Sequence, residues 1–234
     1  MEIILLFHPR VMSGIVINSE MDWDMHITKL CNNAKRISSW ILNVFRNRSK
    51  QVMLSLYSSL VRSRLEYCCQ VWDPYKVKHI NALEQIQKIF TRKIDFVKDF
   101  DYWTRLKKLG IMSLQRRRER FLIVMVWKIK NNNTPNDINL QFVTNTRNSI
   151  TKAVLPPLPK TRGKILSTYE NSFVIKALKL WNKLPLTLTE ITNLKSFTTK
   201  LDKYLVLYPD EPPVKGYFHK TNNSLLEYKT VPLP

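Results

Sequence analysis

Apolar side chains recur every three or four positions between residues 24 and 130, which is the spacing of one face of an α-helix. Pro74 and Gly110 interrupt this pattern at points where helices are expected to end. Asp24 precedes the first apolar stripe and is the expected N-cap of its helix. The pattern therefore predicts a mainly α-helical chain. The expected helices span residues 24–45, 49–71, 77–94, 102–109 and 113–130.

The ends of the chain have a different texture. Two short β-branched runs, at residues 2–7 and 14–18, predict a pair of strands. Prolines and asparagines break the sequence after residue 131, although residues 153–155 and 165–169 could form short strands. The predicted segments are a β-hairpin at 1–21, a helical bundle at 22–131, a loop or linker at 132–171, a smaller helical unit at 172–208 and a flexible tail at 209–234.

Composition bounds the class of protein. With 44% hydrophobic and 11% aromatic residues, the 234-residue chain can bury a sizeable core. Only four glycines are present and no Gly-rich phosphate loop is found, so we expect no cofactor and no small-molecule substrate. Lys or Arg interrupts the hydrophobic stretches, so no membrane span is expected. The odd number of cysteines, Cys31, Cys68 and Cys69, favours an intracellular location in the nucleus or cytoplasm.

The charge of the chain points to an acidic partner. Lys and Arg number 38 against 18 Asp and Glu, which gives a net charge of +20, and residues 35–130 hold 22 of the basic and 7 of the acidic groups. Basic side chains on helices commonly form a solvated face, and this excess could also be left over from a larger protein that has lost its neighbours. We favour contact with phosphates. The candidate residues are Lys35, Arg36, Arg46, Arg48, Lys88, Arg92, Lys93, Arg116, Arg117 and Arg120.

Other chemistry finds little support in the sequence. Asp22 and Asp24 flank Trp23, but two-metal catalysis needs further carboxylates that converge on the ions. The adjacent Cys68 and Cys69 have the wrong spacing for a zinc site and are expected to face the core. We therefore predict no catalytic residue and no metal ligand. The tryptophans are expected to lie in the core rather than to stack on bases.

Several blocks of the sequence occur in an order that is found in one known family. The blocks are Gly14-Ile15-Val16-Ile17 with Trp23-x-x-His26-Ile27, Leu56-Tyr57-x-x-Leu60-Val61-x-Ser63-x-Leu65-Glu66-Tyr67-Cys68-x-x-Val71-Trp72-x-Pro74, Leu83-Glu84-x-Ile86-Gln87, Tyr102-x-x-Arg105-Leu106-x-x-Leu109-Gly110, Ser113-Leu114-x-x-Arg117-Arg118-x-Arg120, Trp181-Asn182-x-Leu184-Pro185 and Pro209-Asp210-Glu211-Pro212. In number, order and spacing they resemble the region C-terminal to the polymerase core in reverse transcriptases of non-LTR (LINE-type, jockey-like) retrotransposons.

This resemblance implies a function. The family synthesises DNA on an RNA template with metal-binding aspartates of a Tyr-x-Asp-Asp palm motif, which is expected upstream of Gly14 and is missing from this sequence. The chain is therefore expected to combine a hairpin remnant of the palm with a helical, thumb-like region. It would bind RNA or RNA–DNA hybrid, mainly through phosphates, and would not be an enzyme. The alternative is a decayed or domesticated helical fragment that acts as a protein-interaction scaffold.

Overall fold

A computed structural model describes residues 10–12, 14–17, 23–133, 140–145, 150–158, 160, 169–208, 210 and 224–226. The chain is mainly α-helical, so the predicted fold class is confirmed. It divides into two compact units, residues 1–114 and 115–234. The predicted bundle at 22–131 is therefore divided near its last helix. Trp127 of that helix packs against Phe197, which comes later in the chain.

The first unit begins with a two-stranded antiparallel hairpin. Strand β1 (Arg10–Met12) pairs with β2 (Ile15–Ile17), and Gly14 in the connection has φ of +82°. The predicted strand at 14–18 is confirmed. Its partner, residues 10–12, lies between the two strands that the sequence predicted. The predicted strand at 2–7 lies outside the described residues.

Helices form the rest of the first unit. The longest, α1, packs against α5, and α5 packs against α6. The helices expected in this unit are present with small changes in their ends, except for the predicted run at 49–71. That run is divided by a π-helical segment and by Cys68, which adopts a left-handed conformation. The bounds are α1 Asp24–Val44, α2 Lys50–Leu56, the π-helical segment Tyr57–Arg62, α3 Ser63–Glu66, α4 Cys69–Trp72, α5 Val77–Thr91, a 3-10 turn Asp95–Val97 and α6 Tyr102–Leu109.

The π-helical segment keeps one apolar stripe facing the core. Met53, Tyr57, Val61 and Leu65 are all buried, and each is four positions from the next. In a regular α-helix four residues overshoot a full turn by about 40°, so such a stripe would drift around the helix. The wider turn at Tyr57–Arg62 takes back part of this rotation. All four side chains can therefore pack into the same core.

Three details of the first unit correct the sequence predictions. Asp24 does not cap α1; instead its carboxylate bonds Lys76 Nζ at 3.2 Å, His79 Nε2 at 2.7 Å and Lys78, because the start of α5 brings these groups to it. Trp40, predicted to lie in the core, is 54% exposed, whereas Trp72 is buried as expected. Cys68 is only partly buried, since it lies in the turn before α4.

The second unit is built around α7 (Leu114–Lys130). Helices α8 (Phe173–Asn182), α9 (Leu186–Thr189) and α10 (Leu194–Val206) follow, with an antiparallel hairpin of β3 (Phe142–Asn145) and β4 (Ile150–Ala153). Trp127 stacks on Phe197 with ring centroids 5.5 Å apart, and its indole N–H donates to the Ile191 carbonyl at 2.6 Å. The predicted linker thus contains a hairpin, which overlaps the expected strand at 153–155 only at Ala153. Residues 165–168 of the other expected strand lie outside the described residues.

Part of the predicted flexible tail is packed. Ser224 and Leu225 are buried, and both donate hydrogen bonds to the carboxylate of Glu119 in α7. On the other side of this short segment, Lys183 Nζ donates to the carbonyls of Leu225 and Leu226. The carboxylate of Glu119 thus accepts from an N–H group of this segment, and the ammonium of Lys183 donates to its C=O groups. The prediction for 209–234 is therefore wrong at residues 224–226.

Candidate nucleic-acid interface

Three loops of the first unit meet at one end of the bundle. The amide of Asp95 donates to the Arg48 carbonyl at 3.3 Å, which joins the loop after α1 to the loop after α5. Lys50 Nζ at the start of α2 donates to the Lys108 carbonyl at 3.0 Å, which adds the end of α6. We call the surface formed by residues 46–50 and 88–108 the basic end.

A buried guanidinium group fixes the loop between α5 and α6. Arg105 is buried, and it donates to the Phe100 carbonyl at 2.6 Å, to the Lys88 carbonyl at 3.0 Å and to Thr91 Oγ1 at 3.3 Å. Burial, followed by the charge of Arg92, lowers the pKa of Arg105, while Tyr102 raises it. Because a guanidinium holds several acceptors in one plane, these bonds fix the loop between residues 92 and 101.

Cations outnumber acidic groups at the basic end. Residues 46–50 and 88–108 contain ten Lys and Arg against the three acidic residues Asp95, Asp99 and Asp101. Asp101 is engaged as the N-cap of α6, where it accepts from the Trp103 and Thr104 amides. Hydrogen bonding from Thr104, first from its side chain and then from its amide, is the main cause of the lowered pKa of Asp101. Asp95 and Asp99 are exposed. The surface therefore keeps a clear positive excess.

Two phenylalanines are exposed within this positive surface. Phe96 in the 3-10 turn is 60% exposed, and Phe100 is 42% exposed. Lys108 Nζ lies 4.2 Å from the Phe100 ring centroid and 6.0 Å from that of Phe96. Apolar rings beside mobile cations are a common feature of surfaces that bind single-stranded nucleic acid.

The basic end includes half of the residues that the sequence proposed for phosphate contact. Arg46, Lys88, Arg92 and Lys93 are exposed there. Arg48 is half-buried, because its guanidinium donates to the Leu42 carbonyl at the end of α1. Arg48 therefore shapes the loop and is the least available of the five to a ligand.

Lys35 and Arg36 lie away from this group. Both are exposed in the middle of α1, and Arg36 donates to Asn33 Oδ1 at 3.1 Å on the same helix. Arg36 precedes the end of α1 at Val44 by eight residues, or about 12 Å along the axis. The structure therefore does not bring these two residues into the basic end.

The arginines of α7 correct the sequence prediction most strongly. Arg116, expected on an outer face, is only 1% exposed. Arg120 is paired with Asp202 of α10 through two bonds, from Nε at 2.5 Å and from Nη2 at 2.8 Å. Arg117 is partly exposed and lies over the Phe121 ring at 5.7 Å. These groups therefore serve packing and ion pairing.

Sequence reasoning missed the aromatic part of the site. Phe96 and Phe100 lie among Asp95, Lys98 and Asp99, in a stretch without helical periodicity. Two phenylalanines in such a charged, short segment were the available signal, since large apolar residues in polar loops are either anchored or functional. Whether the two phenylalanines are anchored or functional depends on the loops that lie next to them in the fold, and those loops are distant in sequence.

Among the residues that the structure describes, no three His, Cys, Asp or Glu side chains are grouped so that they could hold a metal ion. Among the same residues, every helix is too short or too polar to cross a lipid bilayer.

The chain is similar to an uncharacterized protein of Caenorhabditis elegans, with 26% identity over 107 residues. This match covers 44% of the chain and 54% of the relative, so the chain spans about half the length of the relative that it matches. No family model and no solved structure matches the chain.

Proposed function

We propose that the chain binds nucleic acid through the basic end of its first unit. The observation that carries this proposal is a group of exposed cations on loops and helix ends that are joined by the Asp95–Arg48 backbone hydrogen bond and by the contact of Lys50 with the Lys108 carbonyl. The exposed cations are Arg46, Lys50, Arg92, Lys107 and Lys108. Exposed lysine and arginine side chains on neighbouring loops can each reach a different phosphate of one strand. Such contacts give affinity with little sequence preference and release counterions.

The resemblance of the sequence to non-LTR reverse transcriptases adds an origin for this activity. We infer that the chain corresponds to the thumb-like and C-terminal region of an RNA-directed DNA polymerase, acting in the nucleus or cytoplasm on RNA or RNA–DNA hybrid. In this assignment the helices after Trp23 hold the template and primer, and they carry out no chemistry. The purified chain should then extend no primer with Mg²⁺ or Mn²⁺. Metal-dependent nucleotide incorporation would contradict the assignment.

A charge-reversal experiment tests the binding surface. The double variant Arg92→Glu, Lys93→Glu should weaken binding to a 20-base-pair RNA–DNA hybrid and flatten the slope of log K against log salt by about one to two units. The matched control is Lys195→Glu, Lys200→Glu, which changes the net charge equally on exposed positions of α10. Fluorescence anisotropy between 50 and 300 mM salt measures both.

The outcomes separate the site from general charge effects. Equal loss of affinity in the two double variants would show that overall charge, rather than the basic end, attracts the hybrid. Absence of salt-dependent binding by the unchanged chain would overturn the proposed function.

A further inference from the structure

The rings of Phe96 and Phe100 have no evident structural use. Each is one of the large apolar side chains that remain exposed, although the neighbouring Val97 and Tyr102 are buried. Exposing two rings a few residues apart costs hydrophobic free energy that a polar residue would not. The fold nevertheless holds this loop firmly, through the three hydrogen bonds of Arg105. The rings are thus presented on a fixed support.

The position of Lys108 indicates what such rings can bind. Its ammonium lies over the rings, 4.2 Å from the Phe100 centroid and 6.0 Å from the Phe96 centroid, so it covers one face of Phe100. A base stacked on Phe96, or on the other face of Phe100, would therefore have a cation close to its own phosphate. Lys98 and Lys107 are exposed on the same segments. Together with Lys108 they are three cations against the carboxylates of Asp95 and Asp99, since Asp101 is engaged as the N-cap of α6. A flat, uncharged ring system joined to a negative charge fits this arrangement.

A duplex does not offer that ligand. Its bases are stacked on each other and only the phosphates and groove edges are accessible, so side-chain rings cannot reach a base face except at an end. An unpaired strand exposes every base face, and aromatic stacking tolerates all four bases. A protein partner with a bare apolar patch would leave the surrounding lysines without acidic partners.

We infer that Phe96 and Phe100 form a stacking platform for unpaired bases, which makes single-stranded RNA or DNA the preferred ligand of the basic end. This inference rests on the proposed function. It adds that binding has two separable parts, a salt-dependent part from the cations and a salt-independent part from the rings. Duplex ligands use only the first part.

The experiment compares two probes on the full chain. A fluorescein-labelled 20-nucleotide oligo(U) and a 20-base-pair blunt RNA–DNA hybrid are titrated by anisotropy at several salt concentrations. Phe96→Ala with Phe100→Ala should weaken oligo(U) binding by about 30-fold or more, since both stacking rings are lost. Hybrid binding should change less than about two-fold, and the salt slope for either probe should stay the same because no phosphate contact is lost.

Two further variants serve as controls. Tyr67→Ala removes an aromatic ring that is 54% exposed, at the far end of the run that begins with α2, and should leave both affinities unchanged. Phe96→Trp with Phe100→Trp keeps aromatic faces and should retain or strengthen oligo(U) binding. If the double alanine variant has a lower unfolding midpoint, Phe96→Leu with Phe100→Leu preserves apolar volume and should still lose affinity for oligo(U) alone.

Each result decides the inference. Equal loss for both probes, or no loss for oligo(U), would overturn the stacking platform while leaving phosphate binding in place. Retained affinity for oligo(U) in the leucine variant would show that the side chains act only as apolar volume, and it would overturn the stacking platform. Failure of the unchanged chain to bind either probe would overturn the proposed function together with this inference.

Discussion

Replacing Glu119 by alanine should release the end of the chain from the second unit. The carboxylate is fully buried and accepts from Ser224 Oγ and from the Leu225 amide, the latter at 2.8 Å. A buried donor that loses its acceptor costs about 1–3 kcal/mol, so two donors amount to about 2–6 kcal/mol. Relief of the desolvation of Glu119 offsets part of this. We expect a net loss of about 2–4 kcal/mol, or detachment of residues 224–226.

Hydrogen exchange gives the direct assay of this prediction. The Leu225 amide should be protected in the unchanged chain and should exchange freely in Glu119→Ala, and urea unfolding should show the lower stability of the second unit. Glu170→Ala, at an exposed position, is the control. Continued protection of Leu225 in Glu119→Ala would refute the reasoning, because Lys183 alone would then hold the segment.

The same carboxylate should give the second unit a characteristic pH dependence. Burial raises the pKa of Glu119, and the charges of Lys176 and Arg116 and its hydrogen bonds reduce this increase. The folded state then binds the proton more tightly than the unfolded state. Stability should therefore fall as pH rises from about 4.5 through the folded pKa, and Glu119→Gln should remove this contribution. An unchanged pH profile in Glu119→Gln would assign the effect to other groups.

Three further predictions concern local contacts. Burial, and secondarily the charge of Lys29, lowers the pKa of His26, whose Nδ1 accepts from the Val16 amide at 3.3 Å. The stability of the first unit should therefore be lost as pH falls from about 6.5 through the folded pKa of His26. Urea midpoints measured between about pH 7 and 5 should show this loss, and His26→Gln should flatten the pH dependence. Gly110→Ala should cost about 1–2 kcal/mol in urea unfolding, since φ is +73° and no atom lies within 4 Å of an added Cβ, so a larger loss would indicate a clash. Arg120→Glu should lower the unfolding midpoint and leave the salt slope of oligonucleotide binding unchanged, and the reverse result would return Arg120 to the phosphate-binding set.

The sequence predicted helices well because apolar periodicity is a local property. Ile27 and Ile41 in α1 and Phe90 in α5 each belong to an apolar stripe with helical spacing. All three are buried. The left-handed Gly110 ended α6 as predicted, because only the backbone preference of one residue is involved. Such features depend on a few neighbouring residues and need no knowledge of the rest of the fold.

Long-range polar pairing could not be predicted in the same way. Arg120 pairs with Asp202 at a separation of 82 residues, and Glu119 meets Ser224 at a separation of 105. A helical wheel shows that these side chains leave the apolar stripe, but not which distant segment covers them. The same applies to the basic end, where Arg46 and Arg92 were identified by charge and Phe96 became part of the site only through the folded loops.

The π-helical segment at Tyr57–Arg62 has a consequence for how this sequence can vary in length. A π-helical turn holds about one residue more than an α-helical turn, so losing one residue there would restore a regular α-helix and leave the later residues in nearly the same orientation. Leu65 would still face the core, and the turn at Cys68 would keep its place. Losing a residue from the regular helix α1 would instead rotate every later residue of that helix by about 100° and withdraw it by about 1.5 Å. A lost codon in the π-helical stretch is thus less damaging than the same loss within a regular helix.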